Sequence, residues 1–428
     1  MNLELHKIAI RKLEWGPRTG ARDHVLTVNK EELVALLLED PALKKVEAEL
    51  VHPGDSVRIL PCKDAVEPRC KLEGPGEVFP GWIGDVETVG QGKTLVLEGA
   101  AVLTTGRLVA PQEGIVDMSG PGAEYTPFSK TCNVVLVFEP VEGVELHELE
   151  AVYRRAGFKA AHYLASCCKT DKADTVESYA FPPLAEAMSA FPGLPKVAYL
   201  YMLQSQGLLH DTWVYGVDAK KILPTMISPT EVMDGAIISG NCVSACDKNS
   251  TYTHVNNPVI KSLYAHHGKD INFVGVIITN ENVTLADKKR SSSYAVKLAQ
   301  MLGVDGLVIS EEGFGNPDAD LIMNCWKAER AGIKTALITD EYAGRDGSSQ
   351  SLADSCPEGD ACVTAGNANE VIVLPPMQKV IGEPATADVI AGGFFGSLRE
   401  DGSMEVELQA IMGATSELGF NRIGGRTL

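Results

Sequence analysis

The chain has 428 residues, which is enough for two or three domains with a sizeable hydrophobic core. Its 38 basic and 57 acidic residues give a formal net charge of −19, which argues against nucleic acid or an anionic membrane as a partner. No apolar run is long enough to span a bilayer, and the first residues lack the basic and apolar regions of a signal peptide. We therefore expect a cytoplasmic globular protein.

The first third of the chain is predicted to be rich in β-strands. Short apolar segments are separated by glycine or proline, and one helix is predicted at residues 30–38. The predicted strands are residues 46–51, 56–60, 94–97, 100–103 and 134–138. This pattern predicts a β-sandwich or barrel-like domain over residues 1–145, with packing and subunit contact as its expected roles.

From residue 146 the pattern changes to alternating strands and helices. Apolar residues at helical spacing predict an amphipathic helix over residues 147–168, and buried strands are predicted at 195–203 and 235–239. Further strands are predicted at 273–279, 306–310 and 334–339, with helices that begin at Asn257-Pro258, Asp287 and Asn316-Pro317. Repeats of this length are βαβ units, so the predicted fold class is α/β, with a parallel-sheet domain over residues 146–428 after the β-rich N-terminal domain.

The ten cysteines do not form the pattern of a disulfide framework, because their spacings are irregular and the chain is long. They also lack a metal-binding pattern: there is no C-x-x-C pair, and the pair Cys242 and Cys246 has no matching second pair. We therefore expect reduced thiols, most of them small core residues, and no bound metal.

The most unusual chemistry is predicted at the Asn241-Cys242 bond. A cysteine thiolate that follows a peptide carbonyl can attack it through a five-membered ring and transfer the chain to its own sulfur. Elimination of the sulfur and hydrolysis then leave an N-terminal pyruvoyl group. Gly240 allows the unusual backbone geometry that this shift needs. The residues alone leave two alternatives open, an ordinary turn and a reduced pair of Cys242 and Cys246.

Long strings of this sequence resemble the glycine reductase family, specifically component B of the glycine, sarcosine and betaine reductases. The strings are residues 122–130, 203–211, 229–248, 275–282, 311–317 and 340–350, and the resemblance extends over essentially the whole chain. It implies a proprotein that is cut between Asn241 and Cys242 into fragments 1–241 and 242–428. The implied cofactor is a pyruvoyl group derived from Cys242.

The resemblance also implies an oxidoreductase that acts as one component of a complex in amino-acid fermentation. The implied partners are a larger, selenocysteine-containing subunit of protein B, selenoprotein A, protein C and the thioredoxin system. The pyruvoyl group would activate the amine of glycine for reductive C–N cleavage to acetyl phosphate and ammonia. Three alternatives remain open: sarcosine or betaine as the substrate, a pyruvoyl-dependent amino-acid decarboxylase, and an uncleaved scaffold subunit.

Acidic residues follow the predicted parallel strands. Ligands of open α/β sheets bind beyond the carboxyl ends of the strands, and the pyruvoyl group would lie there if the strand at 235–239 joined that sheet. The carboxylates expected around it are Glu281, Glu311, Glu312, Asp340 and Glu341. They would suit an ammonium substrate and could take its protons, although solvated loops and helix N-termini are also rich in such residues.

Two other residues are candidates for substrate binding. Arg345, in a glycine-rich loop, can pair with a substrate carboxylate, and His254, beyond the cut, can assist proton transfer. The alternatives are an exposed loop arginine and a histidine that is hydrogen-bonded within its loop. The turn Gly313-Phe-Gly315 lacks the third glycine of a phosphate-binding loop, so no nucleotide is expected.

Overall fold

The structure is a computed structural model, and it describes residues 1–207, 209, 212–240 and 244–418. Asn241 and Cys242, the predicted cleavage site, lie outside the described residues. Within the described residues the chain combines strands and helices in several mixed sheets, which is consistent with the predicted α/β class. None of the helices in these ranges combines the length and the apolar character that crossing a bilayer requires.

The strands of the first half are numbered in chain order. They are β1 (Asn2–Ala9), β2 (Lys12–Trp15), β3 (Gly20–Arg22), β4 (Val25–Val28), β5 (Leu43–Val51), β6 (Val57–Val66), β7 (Arg69–Glu73), β8 (Gly92–Glu98), β9 (Ala100–Gly106), β10 (Gly114–Asp117), β11 (Cys132–Pro140) and β12 (Thr175–Ala180).

The numbering continues through the second half of the chain. These strands are β13 (Lys196–Leu203), β14 (Trp213–Val214), β15 (Val217–Asp218), β16 (Thr225–Ile227), β17 (Ile237–Ile238), β18 (Asn272–Asn280), β19 (Gly306–Ser310), β20 (Lys334–Glu341), β21 (Cys362–Asn367), β22 (Val371–Leu374), β23 (Lys379–Gly382) and β24 (Met404–Glu407).

The helices are numbered in the same way. They are α1 (Lys30–Leu37), α2 (Leu146–Ser166), α3 (Leu184–Ala187), α4 (Pro229–Met233), α5 (Thr251–Val255), α6 (Pro258–His266), α7 (Leu285–Leu302) and α8 (Asn316–Arg330). Short 3-10 helices occupy Pro121–Glu124, Pro127–Lys130, Ala219–Lys221, Pro384–Asp388 and Leu408–Ala410.

Two larger sheets build the N-terminal part. One sheet has the strand order β12-β1-β8-β7, and the other has the order β10-β6-β9-β11-β5. Residues of both sheets and of the long helix α2 share one hydrophobic core. The apolar face of α2 contributes Leu149, Val152 and Leu164 to that core, which is the face that the sequence periodicity predicts.

Later segments of the chain complete these N-terminal sheets. Strand β12 pairs antiparallel with β1, and strand β23 pairs parallel with β6. Strands from beyond residue 145 therefore pair with edges of the two N-terminal sheets. The division of the chain at residue 145 stays a prediction.

The second half contains a sheet in which most strands are parallel. Its strand order is β16-β18-β13-β19-β20-β21, and all neighbours are parallel except β16, which pairs antiparallel with β18 at one edge. Helices α7 and α8 cover one face, and α4 and α6 cover the other. The predicted caps are present: Asn257 accepts the Ile260 N–H at the start of α6, and Gly303 ends α7 in the left-handed region.

The strand predicted at residues 235–239 does not join the parallel sheet. It is reduced to the two residues of β17, which pair antiparallel with β14 in a small separate sheet. Gly235 has a φ of +92° and lies directly against Phe79, so the extended conformation begins only after it. The pyruvoyl group is predicted at the edge of the parallel sheet on the assumption that this strand joins the sheet. That assumption is wrong.

Candidate functional site

The chain before the predicted cut is held at both backbone groups of Ser239. Its N–H donates to Thr251 Oγ1 at 3.1 Å, and its carbonyl accepts a hydrogen bond from the guanidinium of Arg154. The Thr251 hydroxyl in turn donates to Asp64 Oδ2 at 2.7 Å. Because Asp64 lies on β6, Arg154 on α2 and Thr251 on α5, elements from both sides of the cut fix this part of the chain.

Buried basic residues surround the small cavity beside Ser239 and Gly240. Lys63, Arg154 and Lys248 line it, and all three are nearly inaccessible to solvent. Burial lowers the pKa of Arg154 to about 10 and holds the pKa of Lys63 well below its usual value, where the charge of Lys248 adds to the effect. The segment before the predicted cut therefore lies beside buried basic side chains, with the carboxyl groups of Asp64 and Glu150 next to them.

The chain after the predicted cut crosses the carboxyl edge of the parallel sheet. Its first described residues form a local turn in which Ser244 Oγ donates to Asp247 Oδ1 at 3.1 Å. The backbone N–H of Asn249 then donates to Glu312 Oε1 at 2.9 Å, and its side-chain amide donates to Glu417 Oε1 at 3.0 Å. This segment reaches the sheet edge although β17 is not part of that sheet.

Four of the five predicted carboxylates lie together at this edge. Glu281 follows β18, Glu311 and Glu312 follow β19, and Asp340 is near the end of β20. The Glu312 N–H donates to Glu281 Oε1 at 2.7 Å, and Glu311 and Asp340 are close enough to repel each other. All four residues are buried. Parallel strands bring their carboxyl ends to one edge, which is why the sequence could predict this grouping.

Comparison with known proteins gives the family. The family model described as "Glycine/sarcosine/betaine reductase component B subunits" matches residues 1–426. The chain belongs to this family. No solved structure gives a significant match to the chain.

Curated members of the component B family match along the full chain. "Glycine reductase complex component B subunits alpha and beta" of Acetoanaerobium sticklandii is 61% identical, with 100% of both chains covered. The protein of the same name from Peptoclostridium acidaminophilum is 59% identical over the same shares. "Sarcosine reductase complex component B subunit alpha" of Peptoclostridium acidaminophilum is 53% identical, again with 100% of both chains covered.

The carboxylates of this component B chain are held in an environment that disfavours their charged forms. Burial raises the pKa of Glu312 to about 8. Burial also raises the pKa values of Glu281, Glu311 and Asp340 well above their usual range, and repulsion between neighbouring carboxylates adds to each shift. A group of this kind binds protons or cations readily, which is the property that an ammonium-binding or proton-accepting site requires.

Two buried acidic residues of the same group were not predicted. Glu417 accepts from Asn249, and burial and the charge of Glu312 raise its pKa well above the usual value. Asp247 lies in the turn after the predicted cut, and its charge raises the pKa of Asp340. Asp247 stands in the string that resembles the family, whereas no local pattern of the sequence marks Glu417.

Three predicted residues lie outside this group or at its margin. Glu341 is directed to the other side of β20, where it accepts from Ser351 Oγ at 3.2 Å. Arg345 forms an ion pair with Glu407 at 2.6 Å and is exposed to solvent. His254 is buried and hydrogen-bonded to the Tyr201 hydroxyl through Nδ1 at 2.6 Å.

The environment of His254 keeps its ring neutral. Burial lowers the pKa of His254 to about 3, so the imidazole carries no charge at neutral pH. Tyr201 stacks on Tyr199, whose hydroxyl is hydrogen-bonded to Ser310 Oγ at 2.5 Å, next to the carboxylate group. His254 is therefore connected to the site through two tyrosines. Among the described hydrogen bonds, none joins its ring directly to one of the four carboxylates.

Proposed function

We propose that this chain is the proprotein of component B of a glycine reductase, cut between Asn241 and Cys242 so that Cys242 becomes a pyruvoyl group. The observation that carries the proposal is the course of the chain around this bond. Ser239 is fixed before the bond, and Asn249 is fixed after it against Glu312 and Glu417. The new N-terminus would therefore arise next to a buried acidic group.

The surroundings of the bond suit a self-cleaving segment. The acyl shift needs a defined backbone position, and the partners of Ser239 supply it: Arg154 at the carbonyl and Thr251 at the N–H. Gly240 is buried beside the same cavity. The names of the two glycine reductase relatives also support cutting, because they assign two subunits, alpha and beta, to one chain of this length.

The acidic group suits a substrate with an ammonium nitrogen. A pyruvoyl group supplies an electron-poor carbonyl that can condense with an amine. A bound ammonium would favour the charged forms of Glu281, Glu311, Glu312 and Asp340, whose pKa values burial raises, and it could then pass a proton to one of them.

We keep three further residues as candidates with indirect roles. Arg345 could bind a substrate carboxylate only after its pair with Glu407 opens. Glu341 borders the acidic group on the outer side of β20, and His254 could relay a proton through Tyr201. Lys248 is a basic side chain close to the acidic group, since its charge lowers the pKa of Glu312.

The proposed reaction needs other proteins. The printed sequence has no selenocysteine, so the nucleophile that breaks the C–N bond would come from the larger subunit of protein B. Selenoprotein A, protein C and the thioredoxin system would complete an oxidoreductase that forms acetyl phosphate in the cytoplasm. The higher identity to the two glycine reductase chains than to the sarcosine reductase chain supports glycine as the substrate.

An acetyl phosphate assay with the partner proteins added back tests this function. The wild-type chain should support acetyl phosphate formation from glycine in preference to sarcosine or betaine, and the Cys242→Ala chain should support none. Release of carbon dioxide from glycine without any partner would instead indicate a decarboxylase. Equal rates for the wild-type and Cys242→Ala chains would refute the role of the pyruvoyl group.

A further inference from the structure

Three possible metal ligands meet beside the turn that follows the cut. Cys246, Asp247 and Asp340 are fully buried, and one ligand atom from each lies within 4.8 Å of the others. An ion at the centre of such a triangle would lie no more than about 2.8 Å from each atom, so a small closure gives the 2.0–2.3 Å typical of zinc bonds to oxygen and sulfur. The spacing of these side chains therefore suits a single ion.

Two neighbouring carboxylates have oxygen atoms without a hydrogen-bond partner in the described part of the chain. Asp340 accepts the Thr415 hydroxyl through Oδ2 at 2.8 Å, but its Oδ1 has no partner there. Glu417 accepts from Asn249 through Oε1, and its Oε2 likewise has none among the described groups. Buried polar atoms without partners cost free energy, so these oxygens are available to a ligand that the chain itself does not provide.

The surrounding charge favours a cation of more than one charge. Six buried acidic side chains occur in this group of described residues: Asp247, Glu281, Glu311, Glu312, Asp340 and Glu417. The nearby lysines already have partners, since Lys288 is paired with Asp320 and Lys248 donates to the carbonyl of Lys63. A resident divalent ion would reduce the repulsion among these carboxylates.

We propose that Cys246, Asp247 and Asp340 bind a divalent transition-metal ion, with Glu417 as the neighbouring carboxylate that completes or supports its coordination. One sulfur and two oxygen donors match zinc best among the common ions, because zinc accepts both thiolate and carboxylate ligands. Binding converts the Cys246 thiol to a metal-bound thiolate, and its proton is released to water. The sequence predicts no metal because Asp340 is far from Cys246 along the chain, and only the fold brings them together.

The ion would hold the segment after the cut against the end of β20. Cys246 and Asp247 come from that segment, whereas Asp340 belongs to the parallel sheet. All three ligands are present whether or not the chain is cut, so this proposal does not depend on the formation of the pyruvoyl group.

Metal content of the purified full-length protein is the direct test. We would strip the protein with a chelator, add zinc or cobalt ions, remove the excess by desalting and measure bound metal by mass spectrometry. The wild-type chain should retain about one ion per chain, and its cobalt form should show a thiolate-to-cobalt charge-transfer band. A wild-type chain that retains no metal would overturn the proposal without reference to any variant.

Matched variants test the ligands. Cys246→Ser should abolish the charge-transfer band, and Asp340→Asn should reduce the retained metal at least about tenfold. Cys325→Ser, which changes a buried thiol on α8, and Asp346→Asn, which changes an exposed carboxylate, should bind metal like the wild type. A charge-transfer band that persists in Cys246→Ser would refute the proposed site.

The Cys242→Ala chain separates this inference from the proposed function. If it stays uncut and binds one ion, both proposals stand. If the wild-type chain is cut but binds no metal, only the metal site fails. If the wild-type chain binds metal but is not cut, only the proposed processing fails.

Discussion

Arg154 and Arg155 are neighbours on α2 with different surroundings. Arg154 is buried, bonded to the Ser239 carbonyl and paired with Glu150. Arg155 is half exposed and pairs with Asp40 and Glu148 at the surface. Only the first of these side chains can influence the backbone next to the predicted cut.

Replacing Arg154 should therefore slow the cutting of the chain. Without its guanidinium, the carbonyl of Ser239 loses a fixed position, and reactions that depend on alignment slow strongly when alignment is lost. We expect Arg154→Ala to reduce the rate of appearance of the two fragments by about tenfold or more. The rate can be followed by denaturing gel electrophoresis after synthesis of the chain.

The control for this prediction is Arg155→Ala, which should be cut at the wild-type rate. Arg154→Lys should retain part of the rate, because an ammonium can still donate to the carbonyl. Equal cutting of Arg154→Ala and the wild type would show that the contact with Ser239 has no role in processing.

Glu312 should make the stability of the protein depend on pH. Its pKa is about 8 in the folded protein because of burial, compared with 4.5 for an ordinary glutamate. Between these values the folded state holds a proton that the unfolded state has lost, so the free energy of unfolding decreases as the pH rises. One proton contributes a slope of about 1.4 kcal/mol per pH unit at most.

Glu312→Gln should remove this contribution, since glutamine keeps the acceptor for the Asn249 N–H and does not titrate. Denaturant unfolding between about pH 5 and pH 8 would measure the slope. The experiment is best done with chelator present and in the uncut Cys242→Ala chain, so that unfolding involves one polypeptide. Glu400→Gln, at an exposed site, is the control. Parallel pH curves for Glu312→Gln and its parent would contradict the prediction.

At the scale of elements, strand β13 would connect the two fragments that the proposed cut produces. It belongs to fragment 1–241, but it lies between β18 and β19, which belong to fragment 242–428. Strand β23 of the second fragment also pairs with β6 of the first. Cutting the Asn241-Cys242 bond would leave all of these hydrogen bonds in place.

The two fragments should therefore remain associated after cutting. We expect them to co-elute as one species in native size-exclusion chromatography, even in high salt, and to separate only in denaturant. Each fragment produced alone should fail to fold, because its sheet would have unpaired strands in the centre. Dissociation of the cut protein in native buffer would contradict this description of the shared sheet.

Gly235 should be less tolerant of substitution than a glycine at a helix end. Its φ is +92°, and a Cβ there would lie 2.9 Å from the backbone nitrogen of Phe79. Gly303 also has a positive φ, of +61°, but a Cβ would meet no atom within 4 Å. In the uncut chain, denaturant unfolding should show Gly235→Ala to be about 1–3 kcal/mol less stable than its parent, and Gly303→Ala about 1 kcal/mol less stable. Equal losses would contradict the steric argument.

The elements that the sequence predicts well are those with local signals. The helix that begins at Asn257 and the helix that ends at Gly303 carry their own caps, and the strands of the parallel sheet are short apolar runs between turns. The apolar run before Asn241 gives the same local signal, yet it forms only β17 in another sheet. Its pairing depends on β14, a distant segment that no periodicity identifies.

The same distinction applies to the candidate site. Glu281, Glu311, Glu312 and Asp340 could be predicted, because parallel strands place their carboxyl ends at one edge. The contact of Arg154 with Ser239 could not, since it joins a helix of the first half to the segment before the cut across 85 residues of sequence. Contacts of this kind are set by the packing of whole layers.

At the scale of the whole molecule, the described residues before and after the predicted cut contact different kinds of side chain. Buried basic residues, Lys63, Arg154 and Lys248, lie beside the chain before it. Buried carboxylates, among them Glu312 and Glu417, contact the chain after it. The reaction proposed for this protein requires a carbonyl group at residue 242, so the proposed function depends on the chemical state of that residue.

Intact-mass measurement of the protein isolated from its host, under denaturing conditions, tests that claim most directly. We expect two polypeptides, residues 1–241 and 242–428, the second with a mass that corresponds to an N-terminal pyruvoyl group and with reactivity toward a hydrazine. A single unbroken chain of 45.8 kDa with an ordinary cysteine at position 242 would contradict it.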